Sequence, residues 1–222
     1  MVVDYASEEE QIEAIRRWWH DNGRAVLLGV AIGLAALGGW RGWAWYQSEQ
    51  GIAASRIYQE MLAQVGQGDA KAVYERAERL RDEYSRTPYA TLAALAAGRA
   101  AAEADEPERA AEWLRWAVDN GRHAQLQHLA RARLARVLVA QQAHAQALDT
   151  LDGEAPAEYE VLYAEIRGDA LRHQGKPSEA ASAYRDALEA QGRPADPELL
   201  QRKLNQVQSA HEGGDNNGAS QS

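Results

Sequence analysis

The chain has 222 residues with no Cys and no Phe, and 24 Lys and Arg against 33 Asp and Glu give a net charge of −9. Without Cys there is no thiol catalysis, thiolate metal site or disulfide, and an acidic chain lacks the concentrated positive surface that nucleic-acid binding requires. The length suffices for one membrane anchor and one soluble domain of ordinary size.

Ser7-Glu8-Glu9-Glu10 has the spacing of a capping box, in which Ser7 accepts from a free backbone N–H and Glu10 reaches back. Ile12, Ile15 and Trp19 then recur at helical spacing up to Asn22-Gly23, a stop signal. Residues 1–23 are predicted to be a cytoplasmic amphipathic leader. It lies on the membrane, touches a partner, or simply leads into the next segment.

From Ala25 to Trp40 no residue is charged, and Arg24 and Arg41 close the ends. This stretch supplies only ~24 Å of helix against a hydrocarbon core of ~30 Å, so the span borrows from its flanks. Trp18 and Trp19 stand on one side and Trp40, Trp43, Trp45 and Tyr46 on the other, as in the aromatic belts of membrane interfaces. A core helix would not normally carry aromatic clusters at both rims, and a cleaved signal sequence would need small residues where bulky Trp and Tyr stand. The reading is an uncleaved transmembrane helix over 24–46. Arg16, Arg17 and Arg24 precede it against Arg41 and Arg56 after it, a majority that places the N-terminus in the cytoplasm and the C-terminal domain across the membrane. Ala25, Gly29, Gly33 and Ala36 share one helical stripe, and Ala31, Ala35, Gly38 and Gly42 nearly the opposite one. Gly29, Gly33, Gly38 and Gly42 are therefore candidate points of close approach for another membrane helix. Small residues are also simply common in such helices.

Residues 47–209 read as helix pairs. Ile52 to Val65 form one helix, ended by Gly66-Gln67-Gly68-Asp69, and Val73, Ala77, Leu80 and Tyr84 mark the next. Thr87 is expected to N-cap a helix with Pro88 at its first position, and Pro107, Pro177 and Pro197 sit at comparable starts. Gly121, Gly153, Gly175 and Gly192 mark stops or turns. The period is helical nearly everywhere, with no convincing strand. Residues 210–222 are polar and are expected to be disordered.

A repeat register runs through these pairs. After Gly168 come Gly175, Ala180, Tyr184 and Ala187; after Gly98 come Asp105, Ala110, Leu114 and Ala117; after Ala135 come Gln142, Ala147, Leu151 and Glu154. The starts are 37 residues apart (98 to 135) and 33 apart (135 to 168), near the ~34-residue tetratricopeptide period. The expected fold is all-α, a single N-terminal transmembrane helix followed by a tetratricopeptide-like α-solenoid of about three to four helix pairs. A helix from Asp196 to about Ser209 would close its end. A plain Ala-rich helical bundle is the alternative.

No chemistry is legible. The His residues show no metal spacing, Gly66-x-Gly68 lacks the rest of a nucleotide loop, and no GxSxG occurs. No catalytic residue, metal or cofactor is assigned. What remains is binding, on the face lined by the first helix of each pair. Its candidates are Leu92, Leu95, Arg99, Arg133, Arg136 and Arg172, with Val139, Ile166 and Asp169 beside them. Arginines next to apolar residues suit an extended or acidic peptide, while solvated helix charge is the plainer explanation.

The segment IEAIRRWWHDNGRAVLLGVAIGLAALGGWRGW, then YQEMLAQ, ARLARVLV, ALDTLDG and IRGDALRHQGKPSEAASAY, resembles the family of ancillary SecYEG translocon subunits over residues 8–208. The resemblance implies a bacterial inner-membrane protein with one span, a cytoplasmic N-terminus and a periplasmic tetratricopeptide domain. The partners it implies are the SecYEG translocon, the periplasmic chaperone PpiD and exported client polypeptides. It brings no fixed site motif, and the tail after Ala210 is outside its pattern. Two other readings stay open: a membrane-tethered scaffold for another envelope complex, and a stress-response regulator facing the cytoplasm.

Overall fold

The computed structural model describes residues 5–190, 194 and 196–218, with side chains for 12–13, 15–190, 194 and 196–209 among them. Every regular element among these residues is an α-helix: α1 (Tyr5–Gln67), α2 (Ala70–Glu83), α3 (Pro88–Glu103), α4 (Pro107–Asn120), α5 (Ala124–Ala140), α6 (His144–Thr150), α7 (Ala157–His173), α8 (Pro177–Glu189) and α9 (Pro197–Gly218). The chain divides into two units, Met1–Gln50 and Gly51–Ser222.

In the first unit the expected stop at Asn22-Gly23 does not occur, because α1 runs through it. The Trp19 indole covers Gly23, where a Cβ would stand 3.3 Å from the ring, and the Asn22 side-chain amide donates to the Trp18 carbonyl at 3.1 Å. Packing by a neighbouring indole thus overrides the weak helix propensity of Gly. The apolar stretch of α1 is long enough to cross a membrane, and only 6 % of its most apolar window is buried. A core helix of a soluble domain would be mostly covered. Here Leu28, Leu34, Leu37 and Trp40 are all more than half exposed.

The second unit begins on α1, whose last turns are the first helix of a pair with α2. Ala54, Ile57 and Met61 are buried in the same core as Val73, Ala77 and Leu80. The expected separate helix from Ile52 is therefore the continuation of α1.

One C-cap closes the first helix of every pair. Gly68, Asp105, Gln142 and Gly175 all have positive φ, between 59° and 74°. The next residue donates its N–H to the carbonyl five positions back: Asp69 to Gln64 at 3.2 Å, Glu106 to Ala101 at 2.9 Å, Ala143 to Leu138 at 2.8 Å and Lys176 to Leu171 at 3.0 Å. This is the Schellman geometry, which favours Gly at the left-handed position. The following helix starts two residues after the left-handed one in each case, with Pro at its first turn in α4 and α8. Asp69 caps α2 by accepting from the Ala72 N–H at 3.0 Å, and Asp196 does the same for α9 toward Leu199 at 2.8 Å. Thr87 does not: its side chain makes no cap bond to α3, because its hydroxyl donates to the Tyr84 carbonyl at 2.8 Å.

Helices pack within pairs through the repeat register. A Cβ on Gly98 would lie 2.8 Å from Leu114 Cγ, and Ala110, Ala117, Ala135, Ala147, Ala180 and Ala187 are all fully buried. Such small residues let helix axes approach toward the ~8 Å end of the usual range. Leu134 and Leu138, at 4 % and 3 % exposure, bury more apolar surface than these alanines and stabilise the stack by about 1.5–3 kcal/mol each. The third pair departs from the register: α6 is short, and Glu154 lies beyond it in an exposed turn. That turn is held by Arg167, whose Nη2 donates to the carbonyls of Leu151 and Gly153. At the end, Leu200, Leu204 and Val207 of α9 close a core with Ala180, Tyr184 and Ala187. The described helix continues to Gly218, past the expected end near Ser209 and into the segment expected to be disordered.

Candidate functional site

The first helices of successive pairs pack side by side, α3 on α5 and α5 on α7, so their outward residues form one continuous face. Met61 of α1 stands seven residues before the Gly68 cap, as Gly98, Ala135 and Gly168 stand before theirs, and the residue one place after each of the four gives that face its character: Leu62, Arg99, Arg136 and Asp169. It runs from apolar through cationic to anionic.

The apolar end is aromatic. Tyr58 of α1 and Tyr89 of α3 stand with ring centroids 5.7 Å apart, and Leu62, four residues after Tyr58 on α1, is 44 % exposed. Burial raises the Tyr58 pKa, and the nearby Arg133 charge partly offsets this.

The cationic middle is Arg99, Arg133 and Arg136. Arg99 Nε donates to Glu103 at 2.7 Å with both side chains well exposed, at 67 % and 58 %. Arg136 meets Glu165 more loosely, at 3.7 Å. Arg133 is half-buried, and its Nη1 reaches the Leu95 carbonyl at 3.5 Å. Burial lowers its pKa, and so do the positive charges of Arg99 and Arg136. Arg133 thus lies within electrostatic reach of both other guanidiniums.

The anionic end is neutralised from within. Lys203 of α9 donates to Glu165 and to Asp169, each at 2.8 Å, and the Tyr184 hydroxyl donates to the other Asp169 oxygen at 2.8 Å. Burial opposes the Lys203 charge, but the two carboxylates outweigh it and raise the pKa. Burial and the adjacent Asp169 push the Tyr184 pKa well up. Arg136, Glu165, Asp169, Lys203 and the rings of His144 and His173 surround a pocket of 580 Å³ floored by Val139 and Ile166. The two imidazoles stack at 5.3 Å, and Arg172 lies 3.0 Å from His173 Nε2. Because a guanidinium only donates, His173 accepts there as the neutral ring. Burial, then Arg172 and His144, lower its pKa.

Of the residues expected for the face, some lie on it and others beneath it. Arg99 and Arg136 both lie near Arg133, and Leu92 is half-buried on the same helix as Arg99. Leu95 is 3 % exposed and Ile166 fully buried, so both belong to the core beneath the face. Arg172 is committed to His173. Glu165, Lys203, Tyr58 and Tyr89 were not expected. Glu165 and Asp169 share a helix face at i,i+4, a signal the sequence did carry, whereas nothing in sequence ties them to Lys203. Gly29, Gly33, Gly38 and Gly42 lie in the first unit, with nothing within 4 Å of where a Cβ would be. Among the described residues no three His, Asp or Glu side chains are placed to hold a metal ion.

Residues 16–209 match the family model of a tetratricopeptide repeat-like domain. Proteins named ancillary SecYEG translocon subunit are similar along their whole length. That of Escherichia coli is 32 % identical, covering 91 % of this chain and 98 % of the relative. That of Haemophilus influenzae is 27 % identical over 91 % and 99 %, and that of Neisseria gonorrhoeae 27 % over 91 % and 98 %. A solved structure described as MamA RS-1 ArsTM double mutant has the same fold, with a TM-score of 0.50 at 16 % identity, covering 75 % of this chain and 97 % of that one. With its register, its repeated caps and these relatives, the chain belongs to the family of ancillary SecYEG translocon subunits that carry a tetratricopeptide repeat-like domain.

Proposed function

We propose that this chain is a non-enzymatic, single-pass inner-membrane protein that associates with the SecYEG translocon and binds other polypeptides on the face of its first helices. Residues 24–46 span the membrane, the leader is cytoplasmic and the repeat domain is periplasmic. The occupants of the face are a partner chaperone, for which the resemblance implies PpiD, or newly exported chains. The carrying observation is the end-to-end match to a relative of that name at 32 % identity. The exposed apolar stretch of α1 supports a membrane anchor, and the arginine excess on the leader side supports the orientation. Anchoring beside the exit site raises the effective concentration of the domain there, so weak contacts on the face suffice for function.

Mild-detergent purification of the tagged full chain, with protease treatment of spheroplasts, tests this reading. Co-purification of translocon subunits and digestion of the repeat domain from outside are expected. Digestion only after the membrane is broken would place the domain in the cytoplasm and overturn it.

A further inference from the structure

The middle of the first-helix face differs electrostatically from the rest of the molecule. Past residue 46 the chain carries 20 Lys and Arg against 27 Asp and Glu, yet Arg99, Arg133 and Arg136 collect on adjacent first helices. Arg133 meets no carboxylate among the described residues; its hydrogen bond goes to a backbone carbonyl. Arg99 forms an exposed ion pair with Glu103, and exposed Arg136 meets the partly buried Glu165 only loosely, at 3.7 Å. An exposed pair such as Arg99–Glu103 contributes little, about 0–1 kcal/mol, so an incoming carboxylate displaces it at low cost. Glu165 is already satisfied by Lys203 at 2.8 Å and can release Arg136 without being left unpaired. One side of the strip is walled by the Tyr58 and Tyr89 rings; the other ends at acids that Lys203 neutralises.

Taking the face to be the docking surface, as proposed above, we infer that its middle repeats hold an acidic segment of a polypeptide, with carboxylates on Arg99, Arg133 and Arg136 and an apolar or aromatic side chain against Tyr58 and Tyr89. Charge complementarity selects this occupant: a basic segment would meet three guanidiniums, and a neutral one would leave them without gain. Arg172, held by His173, takes no part.

The test is fluorescence anisotropy on the purified full chain in detergent, with a fluorescein-labelled peptide of alternating Glu and Leu and a matched peptide of Lys and Leu. The Glu peptide is expected to bind more tightly and to weaken with added salt. Arg99→Glu with Arg136→Glu, both on exposed positions that leave the core intact, is expected to weaken it about tenfold or more, at 1.4 kcal/mol per tenfold. Glu103→Gln, which frees Arg99, is expected to tighten it about twofold. Equal, salt-independent binding of both peptides would overturn the acidic assignment while keeping the docking face. Binding of neither peptide would remove the docking face as well. If vesicles containing phosphatidylglycerol bind the soluble face as well as the Glu peptide and lose that binding in the same double variant, the strip reads lipid phosphate and the assignment falls.

Discussion

Gly168 of α7 lies so close beneath the Tyr184 ring of α8 that a Cβ on it would collide with three ring carbons. Tyr184 is fully buried and its hydroxyl is tied to Asp169, so the ring cannot swing aside. Gly168→Ala should therefore destabilise the repeat domain by about 1–3 kcal/mol through overpacking, despite the better helix propensity of Ala. Thermal unfolding followed by circular dichroism measures this. Gly98→Ala should cost less, because the opposing Leu114 has rotamers to yield into.

The left-handed cap is occupied by Gly68 and Gly175 in two pairs and by Asp105 and Gln142 in the other two. An ordinary residue in that conformation costs roughly 1–2 kcal/mol relative to Gly. Gln142→Gly is expected to stabilise the domain by about 0.5–1 kcal/mol, and Gly175→Ala to destabilise it by about 1 kcal/mol. Opposite shifts in denaturant midpoint at unchanged slope would confirm a shared cap.

Lys203 is the cation between Glu165 and Asp169, with all three side chains only about a fifth exposed. Lys203→Ala leaves two half-buried carboxylates facing each other and should cost about 2 kcal/mol. The raised folded pKa of Lys203 fixes the sign of its pH dependence. Its stabilisation is complete below the unfolded value of 10.5 and is lost as pH rises through the higher folded value. A stability titration from neutral pH upward should stay flat in this respect until beyond pH 10, and the Lys203→Ala variant should lose the Lys203 share of the alkaline decline while keeping the share that comes from the raised Tyr184 pKa.

The opposite window belongs to histidine. His128 and His173 both have pKa values below the ordinary 6.5. For His128 the cause is burial and then Arg131; for His173 it is burial, then Arg172 and His144. The unfolded chain binds these protons more readily, so stability is present above pH 6.5 and falls as pH drops below it. Melting temperature should decline between about pH 7 and pH 5, above the range where ordinary carboxylates titrate. His128→Gln together with His173→Gln should flatten that slope.

The repeat architecture was legible because its register rests on residues whose size is constrained: Gly98 and Gly168 under Leu114 and Tyr184. The pair formed by α1 and α2 was not recognised as a repeat, because Met61 stands where the other pairs have a small residue. Its cap at Gly68 and its buried Val73, Ala77 and Leu80 nevertheless follow the same spacing. Stop signals misled where a single neighbour outweighs them, as Trp19 does at Gly23. The arginine strip could be read from spacing along two first helices, α3 and α5. Which side chains lie under it rather than on it, Leu95 above all, depends on how far one helix sinks between its neighbours, and periodicity does not carry that depth. The Lys203 clamp joins residues 34 and 38 positions apart through no local pattern.

The most direct measurement is site-specific photo-crosslinking in intact cells, with a photoreactive amino acid at Arg136 on the first-helix face and, as control, at exposed Arg115 on α4. Crosslinks from position 136 to a translocon subunit, its chaperone partner or a chain in the course of export, absent from position 115, are the expected result. Equal crosslinking from both positions, or none from 136 while the full chain still co-purifies with the translocon, would show that the domain works through another surface.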